Sequence, residues 1–187
     1  MKKLYLASQS PRRQQLMKDA GLEFEVINKE GIDEIFPQGL KKEQIAEHLA
    51  ILKAEAYPEI LETDAILITA DTIVWQKGKV LGKPQNEEDA YEMLKSLSGK
   101  KHWVITGVCI RSKHKQVVFH SSTKVFFSDL AEDEIWFYIK NFKPFDKAGA
   151  YGIQEWIGHI GVKKISGSYF NVMGLPIQRL YQHLKEF

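Results

Sequence analysis

The stretch Ala65-Ile66-Leu67-Ile68-Thr69-Ala70-Asp71-Thr72-Ile73-Val74-Trp75 decides the fold. Residues 65–70 form a short apolar run, the pattern of a buried strand. Asp71-Thr72 then reads as a polar interruption, and residues 73–75 as strand again. Upstream, residues 4–7 read as another short buried strand. Ser10 offers an N-cap and Pro11 the favoured first helical position, which predicts a helix over 11–20 with Gly21 as its stop. Residues 24–27 are a weaker strand candidate. Residues 41–57 place Ile45, Leu49, Leu52 and Ala56 at spacings of three and four, an amphipathic helix ending near Pro58. Downstream, Lys77-Gly78-Lys79 is a turn and residues 87–97 are a helix stopped by Gly99. Residues 103–111 and 116–127 are strand-rich, joined as a hairpin by Ser112-Lys113-His114-Lys115. Residues 130–141 and 171–187 read as helices. Strands and helices intermingle throughout. The expected fold is therefore α/β or α+β, with a central mixed sheet flanked by helices.

The chain has 187 residues, so one domain over 1–187 is expected, large enough to bury a core without staples. Its 44% hydrophobic and 27% charged residues exclude disordered, collagenous and coiled-coil classes. A net charge of +2 gives no reason to expect a nucleic-acid partner. The single cysteine, Cys109, cannot form an internal disulfide and suits a reducing compartment. No apolar run approaches the ~18 residues of a membrane span, and the four apolar residues near the start are too few for a signal peptide. A cytoplasmic location is expected. P-loop, Gly-x-Gly-x-x-Gly and Gly-x-Ser-x-Gly motifs are all missing from the sequence, and the six histidines show no zinc-type spacing. Lys100-Lys101-His102 and Lys113-His114-Lys115 read as solvated charge runs.

Six places carry chemistry. In Ser8-Gln9-Ser10-Pro11-Arg12-Arg13 the two arginines fall in the first helical turn, where the helix dipole disfavours cations by about 0.3–1 kcal/mol each. Arginines there, beside backbone N–H groups and serine hydroxyls, describe an anion site suited to phosphate, or else simply point into water. Asp71 can bind Mg²⁺ through oxygen or take a proton from water, or terminate the strand in an Asx turn. Lys83, stiffened between Gly82 and Pro84, is a point charge for phosphate or a solvated loop residue. Lys53 lies beside the apolar face of its helix and reads more simply as a snorkelling side chain; Glu34 reads more simply as a solvated loop acid. In Lys147-Ala148-Gly149-Ala150-Tyr151-Gly152-Ile153-Gln154, small residues permit close approach, and an amide that donates and accepts suits a base edge. A tight turn with a polar cap explains the same residues.

Taken in order, these segments are joined by Asp33-Glu34, Lys53-Ala54, Thr106-Gly107-Val108 and Gly167-Ser168-Tyr169-x-Asn171-Val172-x-Gly174-Leu175-Pro176. Over essentially the whole chain the sequence closely resembles the Maf family of nucleoside triphosphate pyrophosphatases, related in fold to the inosine triphosphatase group. Ala70-Asp71-Thr72 with Tyr151-Gly152-Ile153-Gln154 looks like the dTTP/UTP-directed subgroup. The 7-methyl-GTP-directed subgroup tends to carry Ser-Asp-Gln at the first place. Ile32 and Phe170 depart from the common pattern, and neither is a proposed catalytic position. The resemblance implies two lobes around a nucleotide cleft and hydrolysis between the α- and β-phosphates, with a divalent cation (Mg²⁺, Mn²⁺ or Co²⁺) as cofactor. On that basis Asp71 activates water, and Asp71 and Glu34 hold metal. Ser8, Arg13, Lys53 and Lys83 hold the triphosphate, while Arg12, Thr72 and Gln154 bear on substrate choice. The partner is then a nucleoside triphosphate, with no nucleic acid and no membrane, and a homodimer is implied at family level. The competing readings are a pyrophosphatase for 7-methyl-GTP or another modified nucleotide, and a nucleotide-binding regulator of septum formation or cell shape.

Overall fold

The structure, a computed structural model, describes residues 2–187. Strand β1 (Lys3–Ala7) leads into helix α1 (Pro11–Asp19) and the short strand β2 (Glu25–Ile27). Helices α2 (Lys42–Glu55) and α3 (Pro58–Leu61) precede the long strand β3 (Ala65–Gln76), which turns back as β4 (Lys79–Leu81). Helix α4 (Glu87–Leu97) is followed by the long strands β5 (Lys101–Arg111) and β6 (Gln116–Phe127) and helix α5 (Glu132–Phe142). After two single 3₁₀ turns come α6 (Trp156–Gly161), β7 (Val162–Ser166), α7 (Tyr169–Met173) and α8 (Ile177–Leu184). The strands form a mixed sheet in the order β2-β1-β3-β5-β6-β7, with β4 paired to β3. β1 runs parallel to β2 and β3, whereas β4 is antiparallel to β3 and β7 to β6. The mixed α/β architecture is the one expected. Parallel pairing of β1 with β3 accounts for the apolar run at 65–70, since such strands are covered on both faces.

By internal contacts the chain divides into two compact units. The first runs to Thr72 and takes in Thr106–Ser121 and Gly174–Phe187; the second comprises Ile73–Ile105 and Ser122–Met173. In the first unit, Ala7, Ala50, Ala54, Leu67 and Cys109 pack together. Gly107 lets β5 approach α2, because a Cβ there would come within 2.2 Å of the Ala46 carbonyl. The core of the second unit includes Leu94, Leu97, Phe127, Ile135, Tyr138 and Ile157, all fully buried or nearly so.

Side-chain acceptors mark the starts of three helices. Asn86 accepts a hydrogen bond from the Asp89 N–H at 2.8 Å and caps α4. The Gln44 side chain accepts from the Lys41 N–H before α2, and Glu134 accepts from the Ala131 N–H before α5. α1, like α3, α6 and α8, starts without a side-chain cap bond: Ser10 occupies its N-cap position, and no acid stands in its first turn.

The structure corrects four readings of the sequence. Asp71-Thr72 does not interrupt a strand, because β3 is continuous from Ala65 to Gln76. The helix expected over 41–57 ends at Glu55, and Tyr57 instead starts α3. The helix expected over 171–187 is broken into α7 and α8 by Gly174, at φ +119°, and by Pro176. His102 is not a solvated member of a charge run. It is 1% exposed, and its Nε2 shares a 2.7 Å hydrogen bond with the Tyr151 hydroxyl.

Candidate active site

Alternation along β3 sorts its polar residues into two groups, since successive side chains point to opposite faces. Leu67, Thr69 and Asp71 turn towards α2: Leu67 packs with Ala50 and Ala54, and the Thr69 hydroxyl donates to the Ala50 carbonyl at 2.6 Å. Asp71, only 7% exposed, accepts a hydrogen bond from Lys53 Nζ. The Lys53 ammonium also lies 3.0 Å from Glu34 Oε1, which reaches it from the irregular segment before α2. Lys53 therefore does not snorkel into water but joins two carboxylates, one nearly buried and one exposed. Those satisfied side chains let the backbone ladder run on through Asp71.

Thr72, on the opposite face, belongs to a second network centred on Arg13. The Arg13 guanidinium donates from Nε to the Gly174 carbonyl at 2.8 Å and from Nη1 to the Ala70 carbonyl at 2.8 Å. It also donates from Nη1 to the Ser8 hydroxyl at 3.4 Å and from Nη2 to Thr72 Oγ1 at 3.0 Å. Four of its five N–H groups are thereby engaged with the protein. Burial lowers the pKa of this guanidinium and the neighbouring Asp71 charge raises it, so the two networks interact electrostatically. Thr72 Oγ1 also lies 2.9 Å from Thr106 Oγ1 and 3.3 Å from the Gly174 carbonyl.

The first unit thus brings together Ser8, Arg13, Glu34, Lys53, Asp71 and Thr72, with Arg12 in the first turn of α1. Lys83 and Gln154 belong to the second unit. Lys83 is exposed just after β4. Gln154 is half-buried, and its Oε1 is buried with no hydrogen-bond partner among the described residues. No group of three or more His, Cys, Asp or Glu side chains among the described residues makes a metal site. Asp71 and Glu34, already converging on one cation, are the donors suited to a hard divalent ion, which commonly takes its other ligands from substrate phosphates and water. Sequence reasoning missed the partners of Arg13, because Gly174 and Ala70 act through backbone carbonyls that no side-chain motif reveals. It also gave no role to Thr106, which the motif Thr106-Gly107-Val108 contained.

The chain has relatives over nearly its whole length. It is 55% identical over 184 residues to a dTTP/UTP pyrophosphatase of Phocaeicola vulgatus, which covers 98% of this chain and 95% of that protein. To the dTTP/UTP pyrophosphatase of Christiangramia forsetii it is 54% identical, with 98% and 93% covered. Among solved structures, the Staphylococcus aureus Ham1 protein superposes with a TM-score of 0.52 at 17% identity, covering 99% of this chain and 98% of that one. A HAM1 protein from Coxiella burnetii gives 0.50 at 16% identity, with 100% of each chain covered. These structural likenesses bear on the fold. A family model described as Maf-like protein matches residues 3–187, a span that includes the Lys53–Asp71 pair, the Arg13 network and Gln154, and the chain accordingly belongs to the Maf-like family.

Proposed function

We propose that this chain hydrolyses UTP and dTTP between the α- and β-phosphates, releasing the nucleoside monophosphate and pyrophosphate. The observation that carries this reading is Asp71, a nearly buried carboxylate fixed in mid-strand against Lys53 and within the field of Arg13. Relatives at 54–55% identity are dTTP/UTP pyrophosphatases, which supports the same substrates. Asp71 takes the proton of the water that attacks the anhydride, and the electron pair of the broken P–O bond leaves with pyrophosphate. An incoming triphosphate competes for Lys53, which otherwise occupies Asp71 Oδ1, and leaves that oxygen open to the proton of the water. Ser8, the remaining N–H of Arg13, and Lys83 add donors for the polyanion, which a positively charged first turn of α1 also favours. Asp71 and Glu34 would hold a divalent cation, which when bound stabilises charge on the departing pyrophosphate. Arg12, Thr72 and Gln154 bear on the choice of nucleotide. The reading calls for no nucleic-acid partner and places the protein with the cytoplasmic nucleotide pool; a homodimer is the accompanying expectation. No described helix is long and apolar enough to cross a membrane.

A panel of UTP, dTTP, CTP, GTP, ATP and 7-methyl-GTP with Mg²⁺, Mn²⁺ and Co²⁺ tests the proposal. Pyrophosphate release fastest from UTP and dTTP is the expected result. Preference for 7-methyl-GTP, or nucleotide binding without pyrophosphate release at any metal, would overturn it.

A further inference from the structure

Gln154 sits in a segment that is cross-linked on both sides by one buried network. The Tyr138 hydroxyl, on α5, accepts a hydrogen bond from the Gly152 N–H at 3.0 Å and donates one to Glu155 Oε2. The other carboxylate oxygen of Glu155 lies 3.1 Å from Lys147 Nζ, whose side chain is 8% exposed and also donates to Asp146 Oδ1 at 2.7 Å. Residues 147, 152 and 155 are thus tied to each other and to a fully buried ring of α5. Burial and the Glu155 contact push the Tyr138 hydroxyl pKa up, so it remains a donor at all ordinary pH. Lys147 and Glu155 are both poorly solvated, and replacing such a pair with apolar residues is often neutral or stabilising. What the network does achieve is to hold Gly152 through its backbone and Glu155 through its carboxylate, on the two sides of Gln154. The Gln154 acceptor is buried, and only an incoming donor would satisfy it.

We infer that Tyr138 and Glu155 are positioning residues that hold Gln154 at the base edge of a pyrimidine nucleotide, an inference that rests on the function proposed above. Tyr138 does not touch the substrate; it acts through Gly152 and Glu155, on either side of the amide. Loosening that segment weakens nucleotide binding for the base Gln154 recognises and leaves the phosphate chemistry of the first unit in place.

The test is steady-state kinetics of the full-length protein with UTP and with GTP, comparing wild type with Tyr138→Phe, which keeps the ring and removes both hydrogen bonds. The expected result is a KM for UTP raised by about tenfold, the worth of one lost buried hydrogen bond, with kcat changed less than about threefold and the UTP-to-GTP ratio of kcat/KM reduced in step. Glu155→Gln keeps an acceptor for Tyr138 and removes the charge facing Lys147. It carries the same test, with the same direction of change, should Tyr138→Phe fail to fold. An active wild type whose UTP-to-GTP ratio is unchanged in the variants, whatever their melting temperatures, overturns the positioning role alone. A wild type that releases no pyrophosphate from UTP overturns the proposed function itself, and the two failures are read in different proteins.

Discussion

Lys53 donates a hydrogen bond to Asp71, joining the last turns of α2 to the middle of β3, and the pair is nearly withdrawn from water. Asp71→Asn keeps the shape of the site and an acceptor for Lys53 but cannot take up a proton. The expected loss in kcat for UTP is about 100-fold or more, the typical worth of general-base help. Far-ultraviolet circular dichroism should be unchanged. Activity within threefold of wild type would remove Asp71 from the chemistry.

Arg13 holds four groups of its own unit: Ser8, Ala70, Thr72 and the Gly174 carbonyl. The sequence alone favoured a phosphate-binding arginine at a helix start; the structure makes it a tie between Ser8 after β1, β3 and the loop before α8 as well. Arg13→Ala should therefore lower the stability of the ligand-free protein by about 2–4 kcal/mol, since hydrogen bonds to a charged donor are worth more than neutral ones and their partners are left unpaired. Urea unfolding measures this directly, and a loss below about 0.5 kcal/mol, the usual scatter for surface substitutions, would contradict it.

His102 predicts a pH dependence. Burial lowers its pKa from 6.5 to about 4 in the folded protein. Above pH 6.5 the ring is neutral in both states and makes no difference. As pH falls from 6.5 towards 4 the unfolded chain takes up the proton first, so stability is lost across that window, up to about 3 kcal/mol. The check is the pH dependence of unfolding free energy in wild type against His102→Gln. An identical slope between pH 6.5 and 4 in the two proteins would show that His102 titrates normally.

Much of the fold was legible because periodicity is local. The apolar run at 65–70, the Pro11 start of α1 and the turn at 112–115 each announce themselves within a few residues. Asp71-Thr72 was misread as a break because its hydrogen-bond partners, Lys53, Arg13, Thr106 and Gly174, are supplied from elsewhere in the chain. His102 was misread for the same reason, since its partner Tyr151 is 49 residues away. The identities of the site residues followed from motif resemblance. The roles of the Gly174 carbonyl and of Tyr138 did not, because a backbone acceptor and a distant hydroxyl leave no pattern in the sequence.

Gln154 offers a test of base recognition. Uracil and thymine present two carbonyl acceptors around one N–H donor, and a carboxamide can pair with one of each. Gln154→Glu removes the donor and leaves a base carbonyl unpaired, at a cost of about 1–3 kcal/mol in kcat/KM for UTP and dTTP. Guanine, which offers two adjacent donors, should suffer less. An unchanged UTP-to-GTP ratio would mean that the amide does not read the base.

Phosphorus NMR of UTP incubated with the purified protein and Mg²⁺ resolves the bond that breaks. UMP and pyrophosphate appearing in equimolar amounts, the pyrophosphate resonance twice as intense, at a rate cut at least about 100-fold in Asp71→Asn, are the expected result. UDP with inorganic phosphate, or UTP left intact by the wild-type protein, would contradict it.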